Sequence, residues 1–145
     1  MGRVKPSNKA CARYGKTTAA VESKSYLSWI RTLPCLVSGG QPVEAAHLNT
    51  ASREWAHPGR GKARRSSDRW ALPLTHDKHQ NEQHKGAEMA FWSQYGIDPH
   101  RAATILFAMH CERGEDATEL ATEMILNGEF HNNNIEKKEP TWKPL

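Results

Sequence analysis

At 145 residues, 37% hydrophobic and 25% charged, the chain has the makeup of one globular domain with tails, which excludes disorder along its whole length. No apolar run reaches the length of a membrane span and no secretory h-region opens the chain, so the expected setting is the cytoplasm, with no membrane partner. A formal net charge of +4 admits an anionic partner, and three widely spaced cysteines, Cys11, Cys35 and Cys111, argue against a disulfide framework or a four-cysteine zinc ribbon.

Residues 1–21 are basic, rich in small residues and without apolar periodicity, and read as a flexible arm. A folded domain is expected over 22–130 and a loose tail, rich in Asn, Lys and Glu, over 131–145. Within the domain, Tyr26, Leu27, Trp29, Ile30 and Leu33 recur at helical spacing, with Ser23 or Ser25 as cap and Pro34 as terminator. Cys35 to Val43 reads as a glycine-bearing knuckle, and 43–48 as a strand ending in His47 and Leu48. A long loop carrying Arg53, Arg60, Lys62, Arg64, Arg65 and Arg69 follows. A loop of this length inside a small domain is usually functional or disordered. Residues 68–75 predict a second strand, 76–86 a polar helix carrying His76, His79 and His84, and 87–95 a short helix with Phe91, Trp92 and Tyr95 packed inward. Asp98-Pro99 opens the next helix, whose apolar face is expected from Ala102, Ala103, Ile105, Leu106, Ala108 and Met109, and 116–126 forms the last.

Charge is distributed unevenly. Cations gather in the arm and in the loop before the second strand, whereas Glu115, Asp116, Glu119, Glu123 and Glu129 make the C-terminal part acidic. Arg60, Lys62, Arg64, Arg65 and Arg69 are therefore the candidate contacts to a phosphate backbone, although such a run can equally serve only to solvate a loop.

The order of His47, Asp68, His79 and His84 is what points to chemistry. Hydrolysing a phosphodiester needs an activated water, a cation beside the phosphorane-like transition state and stabilisation of the leaving oxygen. A neutral imidazole titrates near physiological pH and can accept the proton of water, so His47 is the candidate general base. Asp68 is placed to tie the loop to the first strand or to accept the other ring proton of His47. On an ideal α-helix His76 and His79 lie roughly 60° apart and can face one divalent ion, whereas His79 and His84 lie roughly 140° apart and need a bend or bulge to do so. Gln83 shares the face of His79, and Glu44 on the first strand is a further candidate oxygen ligand. A histidine on a strand or helix is more often a core or surface residue than a ligand, and His57, His100, His110 and His131 are read in that plainer way.

Gly59-Arg60-Gly61-Lys62, the string from Ser67 to Leu74, then His79, His84, Gly86 and Phe91-Trp92, with Pro34-Cys35 and Glu44 to His47 before them, resemble the HNH nuclease family related to the phage recombination enhancement function nuclease Ref. The resemblance covers roughly 33–98. It implies an α+β fold, a central ββα-metal (His-Me finger, HNH-type) motif over 35–92 flanked by several α-helices. It also implies cleavage of DNA dependent on Mg2+, Mn2+ or Zn2+, with His47 as base and His79 and His84 as metal ligands. A recombinase or other protein partner is the further expectation. Two departures stand out: His79 and His84 are separated by four residues where the family usually has three, and Ser38 and Thr75 occupy positions of knuckle cysteines. A DNA-binding or regulatory module that keeps the fold without catalysis is accordingly the alternative reading.

Overall fold

A computed structural model describes residues 22–59, 66–82 and 87–131 of the chain. The fold is α+β: among the described residues, four α-helices surround a two-stranded antiparallel sheet. The expected arm, the loop cations Arg60, Lys62, Arg64 and Arg65, the helix residues Gln83 and His84, and the expected tail beyond His131 lie outside the described residues.

The first helix, α1, spans Lys24–Ile30, and the Ser23 hydroxyl caps it by accepting the Tyr26 amide at 3.2 Å. It buries Tyr26, Trp29 and Ile30. The chain then turns through the knuckle, where the Cys35 amide donates to the Gly40 carbonyl and the Gly39 amide to that of Cys35, both at 2.8 Å. Gly39 has φ of 75°, a conformation that costs a side-chain-bearing residue but not glycine. Cys35 is free and buried; burial pushes its thiol pKa up, but hydrogen bonds from Ser38, Thr75 and Val37 outweigh this and leave it lowered. Cys111, against the expectation from its spacing, is disulfide-bonded.

Strand β1 is Val43–His47 and strand β2 is Ala71–Thr75, in the register Val43↔Thr75, Glu44↔Leu74, Ala45↔Pro73, Ala46↔Leu72 and His47↔Ala71. The expected second strand begins at Asp68, but Asp68–Trp70 form a single 3-10 turn that leads into β2 and buries all three side chains. A second difference follows β2. The polar helix is a π-helix over Asp77–Glu82 rather than an α-helix. Its i→i+5 hydrogen bonding gives a wider turn than that of an α-helix.

Helix α2 spans Glu88–Gln94, α3 spans Pro99–Arg113 and α4 spans Thr118–Leu126, the last two joined by a 3-10 turn at Gly114–Ala117. Asp98 caps α3 by accepting the His100 and Arg101 amides. The buried face of α3 is Ala102, Ala103, Leu106, Phe107 and His110, rotated slightly from the expected one, with Ile105 and Met109 at its margin. The core joins α1 and α3 through the edge-on Tyr26–Phe107 pair, 5.1 Å between ring centroids, and closes around Trp70, Trp92, Phe130 and the leucines Leu48, Leu72 and Leu74. Among the described residues no helix is long and apolar enough to cross a membrane.

Candidate functional site

Two acid–imidazole groups are built on β1. At its C-terminal end, His47 Nε2 lies 2.8 Å from Asp68 Oδ1, with the two side chains 12% and 7% exposed. The other carboxylate oxygen, Oδ2, accepts the Ser23 backbone amide at 2.8 Å. The 3-10 turn is what aims Asp68 inward, so one carboxylate joins the start of α1 to the end of β1. Facing a carboxylate, Nε2 carries the ring proton, which leaves Nδ1 of His47 as the basic nitrogen.

Three residues earlier on the same strand, Glu44 receives both helix-side imidazoles: His79 Nδ1 at 2.7 Å on Oε1 and His76 Nδ1 at 2.6 Å on Oε2. These hydrogen bonds, from His79 and from His76, hold the Glu44 carboxyl below the usual carboxylate range. His76 is 72% exposed and His79 only 15%, so His79 is the ring fixed against the protein. Among the described residues His47 is thus paired with Asp68, and His79 with Glu44. Glu44, weighed from the sequence only as a further ligand, is the hub of the second group.

Among the described residues no group of three or more His, Cys, Asp or Glu is arranged to hold a metal ion. Tetrahedral N and O ligands at about 2.05 Å from zinc stand roughly 3.3 Å from one another. The Glu44 oxygens instead touch the rings at hydrogen-bond distance. The donor set, one carboxylate with two imidazoles, is nonetheless of the kind that borderline divalent metals take, and an opening of about 0.6–0.7 Å at each contact would admit one.

Arg69, expected among the phosphate contacts, is corrected by its burial. It is 2% exposed, its guanidinium lies 4.4 Å from the Trp70 ring centroid and 5.6 Å from that of Phe107, and Nη2 donates to Thr104 Oγ1. A guanidinium packed this way is a core cation, out of reach of a DNA backbone. Arg60, Lys62, Arg64, Arg65 and the proposed ligand His84 have no described position.

His57 and His100, read from the sequence as core or surface residues, form a third polar group around the segment that follows His47. His57 Nε2 donates to the Leu48 carbonyl at 2.7 Å while its Nδ1 accepts the Gly59 amide at 2.8 Å. His57 also stacks on Trp70 at 4.5 Å and meets His100 edge-on, and His100 Nε2 donates to the Thr50 carbonyl at 2.6 Å. Burial pushes the His57 pKa down, in keeping with a neutral ring that both donates and accepts. The plain reading of His57, His100 and His110 as core residues holds, since all three are buried.

With this geometry in view, comparison with known families matches residues 10–111, most of the chain, to the family described as protein of unknown function DUF968. The chain belongs to that family. No curated protein and no solved structure matches it.

Proposed function

We propose that the chain is a divalent-metal-dependent DNA endonuclease or nickase of the ββα-metal (HNH) type, serving phage or mobile-element recombination or repair. The observation that carries this reading is the hydrogen bond between His47 and the buried Asp68 carboxylate, on the same strand whose Glu44 engages His79. A hairpin running straight into a histidine-bearing helix supports the finger topology. In this reading Asp68 holds His47 in the tautomer protonated at Nε2, and Nδ1 takes a proton from the water that attacks phosphorus. Glu44, His79 and His84 would hold a divalent ion, with His76 at hand, and the ion would supply positive charge to stabilise the transition state of phosphodiester cleavage. Arg60, Lys62, Arg64 and Arg65 grip the DNA backbone.

The test is nicking of supercoiled plasmid with magnesium, manganese or zinc. Removing a general base typically costs about 10²- to 10⁴-fold, so His47→Ala should lose activity by that order. Nicking that persists in His47→Ala removes the assignment. A non-catalytic DNA-binding module is favoured by one specific observation, the direct closure of Glu44 on both rings. Salt-sensitive DNA binding with no nicking under any of the three metals would select it.

A further inference from the structure

The segment that follows His47 has no regular secondary structure, yet its backbone groups are taken up one after another by partners from distant elements. The Leu48 amide donates to the Trp70 carbonyl at 3.1 Å, and the Leu48 carbonyl accepts from His57. The Thr50 carbonyl accepts from His100. Between them, Glu88 gathers the Asn49 amide at 3.0 Å, the Thr50 amide at 2.9 Å and the Thr50 hydroxyl at 2.6 Å, all on Oε1, with Oε2 3.2 Å from the Asn49 amide. Bonds of amides and hydroxyls to an ionised carboxylate are about twice as strong as neutral ones. Irregular backbone is ordinarily the most mobile part of a domain. Here it is pinned at the two residues next but one and next but two to the candidate base.

Glu88 is also the first residue of α2, the helix downstream of the π-helix that carries His79. It therefore ties the chain leaving the His47 end of β1 to the chain leaving the histidine-bearing helix. We infer that Glu88 is a positioning residue, which fixes the backbone beyond His47 and with it the orientation of the imidazole relative to the His79 helix. The inference rests on the nuclease reading for its catalytic consequence, but its structural half stands apart from that reading. Glu88 acts through residues 48–50.

The experiment compares wild type, Glu88→Ala and Glu88→Gln as full chains. Three readouts are used: amide hydrogen exchange at Asn49 and Thr50, the ring nitrogen shifts of His47 by NMR, and nicking kinetics. Glu88→Ala should speed exchange at both amides at least tenfold and move the His47 ring signals from those of a single tautomer toward an average. It should also lower kcat at least tenfold with KM within twofold of wild type. Glu88→Gln keeps an acceptor oxygen at the same reach and should recover most of kcat. Should Glu88→Ala fail to fold, Glu88→Gln carries the test: an intermediate gain in exchange and an intermediate loss of kcat are then expected. Unchanged exchange or unchanged His47 ring signals overturn the inference, as does a loss confined to KM. A wild-type protein that cleaves no DNA overturns the nuclease reading instead, and the exchange and ring signals still decide whether Glu88 positions His47.

Discussion

Asp68→Asn separates the chemical role of this carboxylate from its structural one. In the wild type Oδ2 accepts the Ser23 amide and Oδ1 faces His47 Nε2, both at 2.8 Å. A carboxamide of the same shape keeps its oxygen on Ser23 and turns its NH2 toward the ring. His47 must then accept at Nε2 and carry its proton on Nδ1, the atom assigned to receive the proton of water. In the serine-protease triad, the equivalent tautomer error lowers kcat by about 10⁴. Allowing for a less enclosed base here, a fall of about 10²- to 10⁴-fold in single-turnover nicking is expected. Stability should change modestly, by about 1–2 kcal/mol, because both hydrogen bonds survive in uncharged form. Asp68→Ala makes the contrast: the buried Ser23 amide and the imidazole each lose a partner at about 1–3 kcal/mol apiece, which lowers Tm by several degrees or more. Thermal denaturation and single-turnover nicking of the two variants side by side are the assay. Nicking by Asp68→Asn at the wild-type rate would show that Asp68 does not set the tautomer, and the assignment of His47 would lose its physical ground.

Two further outcomes follow from burial and charge. His57, whose pKa is pushed down by burial, is neutral in the fold, so on acidification the unfolded chain takes up its proton first, near the ordinary histidine value of about 6.5. Stability to urea should thus be full above that pH, decline as pH falls through it and level off below the lowered folded value; His57→Gln should flatten that part of the profile, and an unchanged slope would refute the neutral-ring assignment. Replacing Arg60, Lys62, Arg64 and Arg65 together with alanine should reduce the salt dependence of DNA binding by about one unit of log-log slope for each phosphate no longer neutralised, whereas Arg69→Ala should leave that slope alone and lower Tm, as measured by salt titration and thermal melts.

What can be read from the sequence is what neighbouring residues determine. Ser23 and Asp98 announce the starts of α1 and α3 because a short oxygen-bearing side chain satisfies the first free amides of a helix. The alternation around His47 and the run through Leu74 mark two strands, and Pro34 marks a stop. The π-helix is not legible in this way. A polar stretch such as 77–82 has no apolar stripe to fix its period, so 100° per residue is the default where the backbone in fact adopts a wider turn. Arg69 reads as one more loop cation because nothing local shows that Trp70 and Phe107 pack against its guanidinium. Glu88 is hidden, and Glu44 is legible only as a further ligand and not as a hub, for a similar reason: their partners are 38 or 39 and 32 or 35 positions away, separations that no spacing rule within one element can reveal.

The Asp68 bridge has a mechanical corollary. Helix α1 is only seven residues long, and an isolated helix of that length is unstable in water. The amide of its cap residue and the imidazole at the far end of β1 are fastened to the same buried carboxylate, so fraying of that first turn loosens the ring as well. Docking of a seven-residue helix and alignment of the His47 ring are in this way coupled through one carboxylate, and tension applied to the chain ahead of Ser23 is felt at His47.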